Sequence, residues 1–598
     1  MKTSALLLLP AVLRTAIAAQ SSAKYPYLNS AAFDSGSLGP YPNRTYHSAP
    51  QHIAPRLNVL QHDARCDDGL YTMISLRGDK VMLEGQSPMI FDNQGELVYM
   101  NATYGETFGL GVQTYKGVDY LTFWQGDDSV GGHGEGYYFM LDSSYREAYR
   151  LSAGGGLKGD LHEFRITKDN TALVTIYPMK ELQTKKRPNP FGPRVFIWDS
   201  VVQELDIETN EVLFEWHASD HFTLDDTFYP PGGAGRSPKN GYDFFHINSI
   251  DKDDLGNYLI SSRYFQSMTY IDGKTGAVLW VLGGRRNSFT DLSDGKATNF
   301  AWQHDARWNA DHTGIHVFDN GARYGEKPLV DASRGVEVIL DLEKMTAQVK
   351  QEYINPHKII SGSQGSMQVL PSGNVLVGFG YNAAWTEFTA DGEAICDVHV
   401  GSESAFNHGA VQTYKVNKAA WVGRPNTAPN ATIVDGTQLF VSWNGATEVK
   451  TWRVQGAQER GQKLEDIEDF AKEGFETSTE IDWSTYCFVR ALAFDSEGNE
   501  LGATEIVEVE CVLDLEEEEE DGAKGDETQT SEADDNDWYW GSETQTQRSF
   551  QLLGVVAVGI AVWELWRRRF AKKTYYAVIQ KLCNGSGPLP TAVSSSAV

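Results

Sequence analysis

Basic residues are scarce in this sequence, and long apolar runs and recognisable cofactor motifs are scarcer still. The chain has 598 residues, with 51 Lys and Arg against 81 Asp and Glu, for a formal net charge of −30. This deficit of positive charge argues against binding to nucleic acid or to an anionic membrane face. The sequence contains no GxxxxGK[ST], no HExxH and no CxxC. It therefore predicts no cofactor and no metal site.

The two ends of the chain predict entry into the secretory pathway and a membrane anchor. Residues 1–19 combine a basic start, a short apolar core and small residues, which is typical of a signal peptide. Residues 549–567 are long enough to span a bilayer, and basic residues follow at once, so the tail 568–598 is expected in the cytoplasm. The acidic stretch 514–548 is expected to be a disordered stalk. The sequence thus predicts a single-pass type I membrane protein with a lumenal or extracellular main part.

Cysteines and sequons fit a lumenal chain. Only five cysteines are present, and four of them precede the predicted span. Disulfides are expected in such a compartment, although their connectivity does not follow from the sequence alone. The pairs we expect are Cys487 with Cys511 and Cys66 with Cys396. Glycosylation is predicted at three N-x-Thr sequons, which begin at Asn43, Asn101 and Asn430.

Short strands separated by Gly- and Asn-containing turns predict an all-β protein. After an N-terminal extension, 20–64, hairpin pairs recur with a spacing typical of four-stranded propeller blades. The pattern predicts a six-bladed β-propeller over residues 65–424, with a seventh blade or large loops as alternatives. From residue 425 to 513, alternating strands around tryptophans predict a small β-sandwich of the immunoglobulin or fibronectin kind. The six predicted blades are residues 70–100, 107–150, 160–216, 246–282, 303–353 and 366–400.

Three histidines occupy comparable positions in this repeat. His162, His246 and His304 each come at the start of the first strand of a predicted blade. First strands line the central channel of a propeller, so we expect the three imidazoles to converge near one mouth. The alternative is that each histidine is structural and bridges neighbouring blades through backbone hydrogen bonds.

Two arginines are candidates to join the histidines. Arg263 and Arg323 each follow a predicted strand, and a guanidinium holds tetrahedral oxyanions through paired hydrogen bonds. The alternative for each is an ion pair with a neighbouring carboxylate. Asn320 is a further candidate, but it precedes Gly321, and an Asn-Gly pair is equally typical of an ordinary turn.

Five ordered motifs occur between about residues 65 and 421. They are residues 160–164 (DLHEF), 245–250 (FHINSI), 279–284 (LWVLGG), 303–307 (QHDAR) and 317–321 (VFDNG). Together they make this stretch resemble the fungal branch of the arylsulfotransferase (ASST) family. The resemblance implies a six-bladed propeller. It also implies transfer of a sulfuryl group from a phenolic sulfate ester to another phenol, without a nucleotide donor and through a sulfo-histidine.

The resemblance also implies roles for particular residues. His246 and His304 take donor and acid–base roles, while Arg323 and Asn248 hold the sulfuryl oxygens. The candidates for substrate binding are His162, Arg263, Arg307 and Asn320. The partners implied are small phenolic sulfate esters and phenols.

The expected nucleophile is where this sequence departs from the family. In bacterial members a histidine stands late in the propeller, whereas the similar place here, residues 412–415, reads QTYK. His408 lies a few residues upstream and is either a substitute nucleophile or an ordinary loop histidine. The sequence therefore leaves open an arylsulfotransferase-like enzyme, a sulfate-ester hydrolase, and a non-catalytic, membrane-anchored propeller that binds a glycan, a phenolic ligand or a partner protein.

Overall fold

Antiparallel hairpins dominate the computed structural model, which describes residues 26–130, 132–183, 194–480 and 486–509. Each hairpin joins two short runs of β-branched or aromatic residues through a tight turn. At one such turn, between strands Ile247–Lys252 and Tyr258–Ser262, Gly256 has a φ of +84°, a value that side chains with a Cβ rarely adopt. The prediction of an all-β protein is confirmed, since helices in these ranges are single turns such as Ala31–Asp34 and Ala218–His221.

Six sheets, each with four antiparallel strands at its core, follow one another through residues 71–419 of the described chain. Each is built from strands that are consecutive in the sequence, with two exceptions. The innermost strand of the first sheet comes from the far end of the region, and in the third sheet Met179–Gln183 and Arg194–Trp198 intervene between the second and third strands. The strands of each sheet are given from the innermost outwards. The first two sheets are Val416–Ala419, Tyr71–Leu76, Ser87–Phe91 and Leu97–Met100 (first), and Phe108–Tyr115, Val118–Asp127, Glu135–Leu141 and Glu147–Leu151 (second). The next two are Phe164–Ile166, Thr171–Ile176, Val201–Asp206 and Val212–His217 (third), and Ile247–Lys252, Tyr258–Ser262, Ser267–Ile271 and Val278–Gly283 (fourth). The last two are His304–Trp308, Gly314–Asp319, Arg334–Asp341 and Thr346–Ile354 (fifth), and Ser366–Val369, Val375–Gly378, Ala384–Phe388 and Ala394–His399 (sixth).

Neighbouring sheets contact each other through their inner strands, in the order of the sequence. The third sheet contacts the fourth through its second strand, Thr171–Ile176. The sixth sheet is joined to the first by Val416–Ala419, which contacts Ser366–Val369 and pairs with Tyr71–Leu76. The sheets therefore form a closed cycle, and the innermost strands of all six begin around one region. This arrangement places residues that are far apart in the sequence, and that precede these strands, close together.

The chain before residue 65 is part of the same packing. Asn58–Gln61 extends the sixth sheet beside Ala394–His399, and Tyr27–Leu28 pairs with it in turn. Next to this edge, Cys66 and Cys396 form a disulfide with a Cα–Cα distance of 6.6 Å. Additional short strands are Asn43–Arg44 with Ala54–Pro55, Met179–Gln183 with Arg194–Trp198 and Tyr242–Asp243, and Thr290–Asp291 beside the fifth sheet.

Residues 430–508 form two further sheets around a separate core. Trp452 and Leu439 belong to different sheets and are both buried in this core. Asn444 hydrogen-bonds the backbone N–H and C=O of Met100, so the core docks directly on the first sheet. The strands are Asn430–Val434, Gln438–Ser442 and Glu476–Glu480 in one sheet, and Glu465–Ala471, Thr451–Ala457, Phe488–Phe494, Glu500–Ala503 and Val507–Glu508 in the other.

Several predicted features fall outside the described ranges. The signal peptide 1–19, the stalk 514–548, the span 549–567, the tail 568–598 and Cys511 all do so. In the part of the chain that is described, no helix has the length and apolar character needed to cross a membrane. The remaining helical turns are 3-10 turns at Ala64–Cys66, Leu83–Gly85, Ala102–Tyr104 and Glu403–Ala405.

Candidate functional site

A cavity of about 420 Å³ lies where the innermost strands begin. Three arginines and three histidines line it, together with aromatic side chains and a single carboxylate, Asp128, among the described residues. This composition gives the cavity a positive, aromatic wall, in contrast to the acidic chain as a whole. The charged and imidazole groups are Arg77, Arg263, Arg323, His162, His246 and His304; the aromatic groups are Phe108, Tyr264, Tyr324, Tyr381 and Tyr414.

The backbone around the cavity is irregular in a way that repeats from sheet to sheet. His246, Gln364 and Tyr414 line the cavity with left-handed φ values of 61°, 63° and 61°. Pairing registers also shift near the starts of innermost strands, between His304 and Arg307 for example. Such conformations are uncommon for residues with a Cβ, and bulges re-aim side chains at the rims of sheets. The irregular starts thus turn these side chains towards the cavity.

The three histidines that the sequence singled out lie together. The ring centroid of His162 is 4.7 Å from that of His246 and 6.2 Å from that of His304. All three side chains are at least 94% buried. Each ring is held through Nδ1, and no described residue hydrogen-bonds any of the three Nε2 atoms. The three Nε2 atoms are therefore available for a ligand.

His162 is held by a buried carboxylate. Its Nδ1 lies 2.7 Å from Oδ2 of Asp160, which is fully buried. Gly134 N–H and the Thr175 hydroxyl also donate to Asp160. Burial alone would raise the pKa of Asp160, but the neighbouring His162 and His133 and the hydrogen bond from Gly134 hold it at about 2. An ionised carboxylate therefore stands behind the ring and stabilises positive charge on it.

His246 pairs with a carboxyl group of a different character. Its Nδ1 lies 2.5 Å from Oδ2 of Asp243. Burial raises the pKa of Asp243 to about 7, and burial together with His162 and Arg263 lowers the pKa of His246. The Asp243–His246 pair therefore takes up and releases one proton near neutral pH. When that proton is present, whether on Asp243 or on the ring, Nε2 carries a hydrogen and can donate it.

His304 has no carboxylate behind it. Its Nδ1 lies 2.7 Å from the backbone carbonyl oxygen of Gly365, which can only accept a hydrogen bond. Burial, followed by the charge of Lys415 and by His162, holds the pKa of His304 well below its usual value. The ring is therefore neutral at neutral pH, with its proton on Nδ1 and a lone pair on Nε2.

Arg263 is a buried cation without an acidic partner in the described chain. Its guanidinium donates to the backbone carbonyls of Trp302 and, at 2.7 Å, of Gly362. Burial and nearby Arg323 lower the pKa of Arg263 to about 10, so it still carries its charge at neutral pH. A buried charge that only carbonyl dipoles compensate is a strong attractor for an anion.

The other two arginines are partly compensated. Arg323 pairs with Glu326 and lies 4.3 Å over the ring of Tyr229. Arg77, which the sequence did not single out, donates to Gln412 at 3.0 Å and stands 3.7 Å from Asp128. The expectation of an ion pair is thus met by Arg323 and not by Arg263.

Four predicted site residues lie elsewhere. Asn248 is fully buried and donates to Gln303 O, which ties the fourth sheet to the fifth. Asn320 is also fully buried and donates to the carbonyls of Ser361 and Gln364. His408 is exposed and is not a lining residue. Among the described residues these three therefore do not reach the cavity.

Arg307 is the fourth, and it belongs to a second cavity of about 480 Å³. Arg307 pairs there with Asp305 at 2.6 Å and with Glu163 at 2.7 Å. This cavity shares Phe108, Leu161 and His162 with the first. The guanidinium of Arg307 is thus occupied by two carboxylates, which explains why it does not serve the first cavity.

Some lining residues were missed by reasoning from the sequence. Tyr264 directly follows Arg263, and its ring lies 4.6 Å from that of His246. Tyr414 lies 5.4 Å from the ring of His304. The segment 412–415, which has no histidine, therefore contributes Gln412 and Tyr414 to the lining, while Lys415 lines the second cavity and pairs with Asp305. The repeat position just before an innermost strand was the signal that could have identified Tyr414.

The disulfide and glycosylation candidates are distributed as follows. Cys66 and Cys396 are bonded to each other. Cys487 is buried, and its expected partner Cys511 lies outside the described ranges. Asn43 and Asn430 are exposed, whereas Asn101 is half-buried and accepts hydrogen bonds from Thr103.

Comparisons with known proteins give one family and several distant folds. A comparison with curated proteins gives no match. Solved structures with similarity include a protein of unknown function from Bacteroides caccae (14% identity, 59% of this chain and 99% of that chain, TM-score 0.34) and the Kuenenia stuttgartiensis hydrazine synthase (12% identity, 52% and 72%, TM-score 0.31). The model of the arylsulfotransferase (ASST) family matches residues 111–401, which include the three cavity histidines and Arg263. This match supports the assignment of residues 111–401 to the arylsulfotransferase family.

Proposed function

We propose that the six sheets are the blades of a β-propeller and that the cavity at its axis transfers sulfuryl groups between phenols without a nucleotide donor. The observation that carries this proposal is the meeting of Arg263, uncompensated by any described carboxylate, with three imidazoles whose Nε2 atoms have no hydrogen-bond partner among the described residues. A sulfate monoester is an anion attached to an aromatic ring, and this wall offers a cation, hydrogen-bond donors and tyrosines. The match to the family supports the same reaction. The assignment to the fungal branch rests on the five motifs found in the sequence.

His304 is the nucleophile in this proposal, in place of the absent histidine at 412–415. A nucleophile must present a lone pair, and a carbonyl partner at Nδ1 leaves that lone pair on Nε2. In the first step the Nε2–S bond forms while the bond between sulfur and the phenolic oxygen breaks. The exposed His408 has no comparable access to the cavity.

The Asp243–His246 pair handles the proton. It gives its proton from Nε2 to the leaving phenolate in the first step. In the second step it takes the proton of the incoming phenol while the O–S bond forms and the Nε2–S bond breaks. An acid–base group works best with a pKa near the working pH, and the pKa of Asp243 at about 7 meets this demand. Arg263, with Arg323 and His162, holds the sulfuryl oxygens throughout.

Turnover of 4-nitrophenyl sulfate with and without phenol tests the proposal. We expect nitrophenol release that depends on phenol and is abolished in His304→Asn, while His408→Ala, the matched control, retains it. Incubation with donor alone should add one sulfuryl group to the wild-type protein, as measured by mass spectrometry. Release without phenol would indicate a hydrolase, and binding of phenols without release would indicate a non-catalytic binding protein. Circular dichroism checks that each variant is folded.

We also propose that this reaction takes place in the secretory pathway, with the propeller (65–424) and the sandwich (425–513) in the lumen or outside the cell, anchored by 549–567. The Cys66–Cys396 disulfide supports an oxidising compartment, and the exposed Asn43 and Asn430 are suitable for glycosylation. Digestion of the protein with an N-glycosidase should increase its gel mobility. Unchanged mobility would contradict passage through the glycosylating compartment.

A further inference from the structure

The cavity is larger than a single phenolic ring needs. Its volume is about 420 Å³, whereas an apolar protein cavity of about 150 Å³ is enough to hold benzene. The sulfuryl group at Arg263 and the histidines uses part of the difference. Room remains for a second ring, and the lining residues show where that ring would lie.

Two tyrosines form a separate aromatic wall. Tyr324 follows Arg323 in the loop after strand Gly314–Asp319, and Tyr381 stands in the loop after strand Val375–Gly378. Their ring centroids are 5.6 Å apart with an interplanar angle of 65°, and both line the cavity. These loops belong to neighbouring sheets, so the pair spans the junction between them.

Tyr324 is unusual among the cavity residues because it is 62% exposed. The backbone holds it in place, since its N–H donates to Gly362 O at 3.2 Å. That same Gly362 carbonyl accepts from Arg263. The backbone of Tyr324 is thus linked through Gly362 to Arg263, which holds the sulfuryl end in the proposed function.

We propose that Tyr324 and Tyr381 form a subsite for a second aromatic ring, so that the phenolic substrates are compounds with two or more rings. This inference rests on the proposed function and specifies its substrate class. The reacting phenolic oxygen lies at the histidines, and the distal ring packs against the Tyr324–Tyr381 pair. Edge-to-face and offset contacts between rings favour this arrangement over contact with an aliphatic group of equal size.

Acceptor preference tests the subsite in the full-length protein. With 4-nitrophenyl sulfate as donor, we expect kcat/KM for 4-phenylphenol to be about tenfold higher than kcat/KM for phenol. It should also be severalfold higher than kcat/KM for 4-cyclohexylphenol, whose second ring is aliphatic. Tyr324→Ala and Tyr381→Ala should each bring the 4-phenylphenol to phenol ratio down to within about twofold. Tyr137→Ala is the matched control, because Tyr137 is a partly exposed tyrosine that does not line the cavity; it should keep the wild-type ratio. A wild-type ratio near one, or a ratio unchanged in both variants, would overturn the subsite.

The inference and the proposed function can fail separately. If no acceptor is sulfated, the proposed function fails, and calorimetry then compares binding of 4-phenylphenyl sulfate with binding of phenyl sulfate. Tighter binding of the two-ring ester, lost in Tyr324→Ala, would still support the subsite. Equal affinity of the two esters would overturn it.

Discussion

The Cys66–Cys396 disulfide joins the two ends of the cycle of sheets, and its removal should lower stability by a calculable amount. Cys66 ends the 3-10 turn before the first sheet, and Cys396 lies in the outermost of the consecutive strands of the sixth sheet. The two positions are 330 residues apart in the sequence. A cross-link over that distance restricts the unfolded chain strongly, because it closes a very long loop.

The magnitude follows from the loop length. The chain-entropy relation gives a loss of about 19 cal/mol/K for a loop of this size, or about 6 kcal/mol at 25 °C. Measured values reach only about 5 kcal/mol, so we expect a decrease of about 3–5 kcal/mol in the free energy of unfolding. The described ranges hold about 470 residues, and unfolding entropy is about 2.1 cal/mol/K per residue, so the expected fall in Tm is about 3–5 °C.

Scanning calorimetry of the variants measures this effect. Cys66→Ala, Cys396→Ala and the double variant should all lose the same amount, because either single change already opens the loop. Equal losses in all three would distinguish the cross-link from local packing, since packing losses at two sites would add. Wild-type Tm in the double variant, or strictly additive losses, would refute the reasoning.

Three further predictions concern the cavity. Burial and then the charge of Lys415 lower the pKa of His304. Lys415→Met should therefore raise that pKa and move the acid limb of the pH profile of kcat/KM to higher pH, while Lys415→Arg should leave the limb in place. An unmoved limb in the Met variant would contradict this. Asp160→Asn removes the charge behind His162 and should lower kcat/KM about 10- to 100-fold with unchanged circular dichroism; full activity would show that this charge is not needed. Arg263→Met should lower kcat about 100-fold or more, with partial rescue in Arg263→Lys; a loss confined to stability would contradict its role.

Several features of the fold and of the site could be predicted from local patterns in the sequence. Alternating strands and Gly turns predicted the all-β class, because hairpins depend on residues close together in the sequence. The repeat also identified His162, His246 and His304, since each stands at the same point of its own strand–turn–strand unit. The cavity brings all three together.

Other features depended on partners that the sequence does not pair. Arg263 and Arg323 looked alike as residues after a strand. Arg323, however, is compensated by Glu326, whereas Arg263 is compensated only by backbone carbonyls 39 and 99 residues away. Asn248 looked like an oxyanion donor, but its amide is occupied by Gln303 O in the next sheet. His408 lies close in sequence to the expected nucleophile position and is nevertheless exposed.

By itself the sequence determined the all-β class and the histidines that stand at the start of three repeats, because these follow from short-range turn geometry and alternation. It did not show that Val416–Ala419 supplies the innermost strand of the first sheet, because that pairing joins segments far apart in the chain. Only the tertiary structure decided what each polar group faces. The Gly365 carbonyl behind His304 comes from 61 residues away. That contact sets the tautomer and hence the chemistry, and it exists only once the fifth and sixth sheets have packed together.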